Sequence, residues 1–127
     1  MDSQNNSLPN SFETDTSLIL ENGRQYIGEV DFLQAPNGQG KEFYPSGKML
    51  YVGRFKNGEK NGFGTFFYES GLVGYKGQFK DNYMEGKGLL YYQDSGKLLF
   101  NGTQQRGNIL KGDFYFENST LSETIEK

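Results

Sequence analysis

The sequence predicts an all-β protein, an elongated single-layer antiparallel sheet of stacked β-hairpins with about eight strands. Three observations predict it. The first is an internal repeat: Tyr26-Ile27-Gly28-Glu29-Val30 returns as Tyr51-Val52-Gly53-Arg54-Phe55 and as Tyr75-Lys76-Gly77-Gln78-Phe79, with a degraded copy at Phe100-Asn101-Gly102. The second is apolar alternation with a period of two inside each copy, the pattern of a strand with one covered face. The third is a set of turn dipeptides at repeat spacing: Asn22-Gly23, Ser46-Gly47, Ser70-Gly71 and Ser95-Gly96, with Asn57-Gly58 inside one copy.

Composition agrees and excludes much else. The chain has 127 residues, enough for one domain. Eighteen glycines, nine Tyr and eleven Phe, with few aliphatics, do not suit a helical bundle. Leu, Ile, Val and Phe together exceed the roughly 20% floor of disordered chains, and the net charge is only -3. There is no Cys and no His. That removes disulfides, thiolate nucleophiles, histidine bases, catalytic triads and nearly every zinc site. No apolar run approaches the ~20 residues that span a bilayer, and neither a secretory signal nor a lipidation box is legible. The expected compartment is cytoplasmic.

Taken in order, residues 1–17 are polar and are expected to be a disordered tail. Leu18-Ile19-Leu20 before Asn22-Gly23 reads as half a repeat that caps the first edge. Tyr26 to Tyr44 is the first full unit, with one extra residue and Pro36. Tyr51 to Glu69 is the second, in which Lys56-Asn57-Gly58 supplies a tight turn. Tyr75 to Gln93 is the third, where Asn82-Tyr83 stands in place of the turn glycine. Phe100 to Phe116 is eroded, with Gln104 where Phe is expected. The paired glycines Gly38/Gly40, Gly62/Gly64 and Gly86/Gly88 recur at one phase, as they would if rings of neighbouring strands lie flat on bare backbone. Residues 117–127 form a C-terminal tail in which Thr120-Leu121-Ser122-Glu123 fits a capping box, so a short helix is expected there.

These residues resemble a known family. The pattern Tyr-x-Gly-x-Phe-x-x-Gly-x-x-x-Gly-x-Gly, followed by aromatics and a turn glycine, is similar to the MORN repeat (membrane occupation and recognition nexus). The resemblance covers residues 18–116. It implies cytoskeletal, ciliary or membrane-associated scaffolds, so the expected function is a non-enzymatic protein–protein interaction module or scaffold subunit of a larger assembly.

A one-layer sheet cannot cover both its faces, which leaves one aromatic face for a partner. The expected groove for a partner helix or peptide is lined by Tyr51, Phe55, Phe66, Tyr68, Tyr75, Phe79 and Tyr91. The alternative is a basic belt of Lys56, Lys60, Lys76, Lys80 and Lys87 against an anionic phospholipid membrane. Residues 41–111 hold eleven basic and six acidic side chains, a local +5, whereas the flanks hold two and ten, a local -8. Ordinary surface lysines give the same pattern. Glu42, Glu59, Glu69, Asp81 and Glu85 read as solvated edge charges rather than an acid pair. Gly-x-Gly lacks the third glycine and the helix of a phosphate loop, and no calcium-loop spacing occurs. No cofactor, metal, nucleic acid or small-molecule substrate is expected, and catalysis has no nucleophile–base pair.

Overall fold

The computed structural model describes residues 15–126, so the expectation for residues 1–14 lies outside the described residues. Ten strands follow in order: β1 (Thr16–Ile19), β2 (Gln25–Val30), β3 (Pro36–Phe43), β4 (Met49–Lys56), β5 (Glu59–Phe67), β6 (Val73–Lys80), β7 (Tyr83–Tyr91), β8 (Leu98–Gln105), β9 (Asn108–Tyr115) and β10 (Leu121–Ile125). They form one open antiparallel sheet whose spatial order is the chain order, so every contact between repeats is a contact between chain neighbours.

Two of these strands depart from expectation at the ends. β1 begins at Thr16, inside the expected tail, because Thr16 and Ser17 pair with Gly28 and Ile27. At the other end a strand replaces the expected helix. Asn118-Ser119 is a further copy of the turn: Ser119 takes φ 73, and Asn118 Oδ1 accepts the Thr120 amide at 3.0 Å. Phe116 N donates to Thr120 O just as Tyr44 N donates to Lys48 O. An edge offered by β9 outweighs a one-turn helix with nothing to dock on.

The turns explain why the sheet holds its register. Asn57-Gly58, Asp81-Asn82 and Arg106-Gly107 all have positive φ at both positions, the type I′ geometry that matches strand twist. Asn82 (φ 72) therefore does the work of the missing glycine. Every pairing from β2–β3 to β9–β10 carries one register shift. Such bulges strengthen the local twist and coil the sheet.

Coiling gives a one-layer sheet an inside. Residues facing inward at Leu18, Glu42, Phe66, Leu90 and Phe114 alternate across the ladder with Tyr26, Tyr51, Tyr75 and Phe100. Tyr26, Tyr51, Tyr75 and Phe100 are fully buried. Each tyrosine lies over a glycine pair, its hydroxyl donating three residues on: Tyr26 to Glu29 O (2.6 Å), Tyr51 to Arg54 O (2.9 Å) and Tyr75 to Gln78 O (2.9 Å). Phe55 and Phe79 fill the gaps edge-on, with Phe55 5.0 Å from Tyr26 and Phe79 5.1 Å from Tyr51. A second set of hydroxyls ties repeat to repeat. Tyr44, Tyr68 and Tyr92 each donate to a carbonyl 23 residues later, those of Phe67, Tyr91 and Tyr115.

Burial pushes the Tyr75 hydroxyl up to about 12. Burial also raises Tyr26 and Tyr51, with help from Glu29 and Glu42 respectively. A folded value above the unfolded one means the contribution is complete below pH 10 and is lost as pH climbs from 10 towards 12. The urea midpoint is expected to fall across that window, and to fall less in Tyr75→Phe.

Candidate functional site

The inner face is not filled from end to end. Along it runs an open groove of about 600 Å³ with a floor of Leu50, Phe66, Phe79 and Met84. The elements that place these side chains are β4 to β7. Leu50 is the extra residue of the bulge between Glu42 and Phe43, which turns its side chain inward at 4% exposure. Met84 stands opposite Phe79, just after the Asp81-Asn82 turn. Tyr83, 43% exposed, borders the groove, and the Arg106 guanidinium stacks 4.3 Å from its ring centroid.

Arg24 and Lys60 also line the groove. Both are held by Glu42, whose Oε2 lies 3.2 Å from Arg24 Nη1 and whose Oε1 lies 3.3 Å from Lys60 Nζ. Asn22 Nδ2 adds a longer contact to Oε2 at 3.4 Å, and Lys60 Nζ sits 5.4 Å from the Tyr51 ring centroid. Glu42 is 2% exposed, so it is not a solvated edge charge. It is a buried carboxylate that survives because two cations and an amide meet it. Its position in the ladder is otherwise apolar: Leu18, Phe66, Leu90 and Phe114. The position of Lys60, opposite Phe55, is otherwise Pro36, Met84 and Ile109. Two neighbouring repeats have thus exchanged an apolar pair for a charged one.

The expected groove residues divide. Tyr51 and Tyr75 are fully buried and Phe55 nearly so, which makes them the support of the inner face rather than an accessible lining, whereas Phe79, 7% exposed, belongs to the groove floor. Phe66 is half-buried and lines the groove. Tyr68, half-buried, braces Phe66 edge-on at 5.5 Å while its hydroxyl holds Tyr91 O at 2.9 Å. Tyr91 pairs with Leu98 one step past Leu90, on the outer face, because successive residues alternate sides.

The lysines divide too. Lys60 belongs to the groove, and its side chain is only 16% exposed. Lys56 and Lys80 stand beside the tight turns, opposite Glu59 and Tyr83. Lys76 and Lys87 lie on the outer face, where Lys41, Arg54 and Lys111 join them, all exposed. Phe63, 55% exposed, sits among them opposite Gln78. The belt read from the sequence is therefore three separate groups.

Sequence reading missed Leu50, Tyr83, Met84, Arg24 and the partnership of Glu42 with Lys60. The signal was present in the alignment of the repeats, which shows both charges where the other copies are apolar. Among the described residues no helix is long and apolar enough to cross a membrane, and no group of three His, Cys, Asp or Glu side chains could hold a metal ion.

Known proteins add one positive finding. The profile of the MORN repeat family matches residues 35–49, 51–73 and 75–97, three consecutive repeats. A search of curated proteins returned no match. MORN repeats are repeat modules generally involved in protein–protein or membrane interactions.

Proposed function

Because residues 35–97 make this chain a member of the MORN repeat family, we propose that it is a non-enzymatic interaction module, a scaffold subunit that holds a partner helix or peptide in its inner groove. The observation that supports this reading is the open groove itself, an apolar floor on a face that no second layer covers. Amphipathic helices lay apolar residues into grooves of this kind. The setting we propose is a cytoskeletal or ciliary assembly in the cytoplasm. Phe66→Ala, checked first by a melting curve, should weaken partner binding by ~2 kcal/mol, as at other buried aromatic anchors. Binding should change little between low and physiological salt, because apolar contacts are not screened. Loss of most of the affinity on adding salt would contradict the groove.

A second reading draws support from the outer face, which carries the exposed Lys41, Arg54, Lys76, Lys87 and Lys111 together with an exposed Phe63. On that reading the protein lies on an anionic membrane, each cation contributing about 1 kcal/mol. Co-sedimentation with phosphatidylserine vesicles would then fall steeply with salt and be lost in Lys76→Glu/Lys87→Glu. Vesicle binding unchanged in that variant would dismiss it.

A further inference from the structure

We propose that the groove selects an amphipathic segment carrying a carboxylate, which it seats against Arg24 and Lys60; the inference rests on the groove reading above and names its ligand's chemistry. The groove lining contains two cations and no carboxylate, since Glu42 lies beneath it at 2% exposure. One buried negative charge faces two positive ones, so the cluster keeps a net +1 towards the open side. Arg106, stacked on Tyr83, places another cation at the groove's border. The rest of the floor is apolar. A basic segment would therefore meet repulsion, and a purely apolar one would leave Arg24 with only the contact it already has.

Glu42 also fixes where the cations point. Arg24 follows the Asn22-Gly23 turn, and its side chain is 39% exposed, free to reach outward on one side while Nη1 stays on Oε2. Lys60 is anchored at its backbone by Asn82 Oδ1 (2.9 Å) and at its tip by Glu42 Oε1. Held donors lose less freedom on binding a carboxylate than mobile surface lysines do. A buried carboxylate in an otherwise apolar ladder position is thus a positioning residue for the two cations above it.

The test is a displayed library of 16-residue peptides with apolar residues fixed at helical spacing and the remaining positions drawn equally from Asp, Glu, Lys, Arg, Ser and Gln. It is selected in parallel on the wild-type chain, on Arg24→Gln/Glu42→Leu/Lys60→Met, and on Phe66→Ala, with Tyr83→Ala as a second groove variant that removes only an exposed ring. The triple variant installs Leu and Met, which other repeats carry at the corresponding positions, Leu18 and Leu90 for Glu42 and Met84 for Lys60, and so keeps the ladder apolar. Wild type should enrich acidic over basic positions about fivefold, as expected for one partly exposed ion pair, and the triple variant should lose that bias. Peptides that depend on Phe66 or Tyr83 but show no acidic bias would overturn this inference and leave the groove standing. Peptides enriched equally by all four proteins, or none enriched, would overturn the groove and this inference together.

Discussion

Gly53→Ala should destabilise the protein by ~3 kcal/mol or more, although alanine is the better strand former. A methyl carbon on Gly53 would stand 2.5 Å from the Gly64 Cα, 2.7 Å from Phe63 O and 2.7 Å from the Tyr51 hydroxyl. Two of those neighbours are backbone on the paired strand, and the third is pinned by its bond to Arg54 O. Nothing in that set can swing aside, so the cost is that of overpacking a core, at its upper end. Gly77 repeats the arrangement, with Gly88 Cα at 2.5 Å and Lys87 O at 2.6 Å. Urea denaturation checks it, with Lys76→Ala on the outer face as the comparison. A Gly53→Ala midpoint at or above wild type would show that rings do not need that bare backbone.

Lys60→Met alone should cost about 3 kcal/mol, because it leaves a carboxylate at 2% exposure with Arg24 as its only cation. Glu42→Leu alone should cost somewhat less, since Arg24 is more than a third exposed and can turn to water. The double variant Glu42→Leu/Lys60→Met should return close to wild type. It places at the two positions residues that other repeats carry there, Leu18 and Leu90 for Glu42 and Met84 for Lys60. With the double variant near wild type, the coupling between the two residues equals the sum of the two single losses, more than about 3 kcal/mol. Additive losses would mean that Lys60 and Glu42 do not act as a pair.

Much of the fold was legible because the repeat states it several times. Tyr51, Gly53 and Gly64 recur with a fixed offset, and a ring over a glycine pair is the one packing that makes sense of them. The C-terminal strand was obscured by a local signal: Thr120 and Glu123 have capping-box spacing, whereas the turn copy at Asn118-Ser119 lacks its glycine. Tertiary pairing with β9 overrode the local preference. The binding face was harder to read. Aromatic residues in the sequence look alike whether they build the inner face, as Tyr75 does, or line it, as Phe66 does. Only the depth of coiling separates them, and that depends on bulges whose extra residue, such as Leu50, has no mark in the sequence. Tyr91 lies outside, where alternation from Gly88 puts it. In the sequence Glu42 reads as a surface charge because its cations come from other repeats, 18 residues away in both directions.

Site-specific photocrosslinking decides most directly whether the inner groove is where a partner sits. A benzoylphenylalanine at Tyr83 reports the groove, and one at Phe63 reports the opposite face. Both side chains are exposed, at 43% and 55%, so neither replacement disturbs the core. In extracts of the native source at physiological salt, the account predicts that a discrete protein crosslinks from position 83 and not from position 63. A protein captured from position 63 alone, with nothing from position 83, would contradict it.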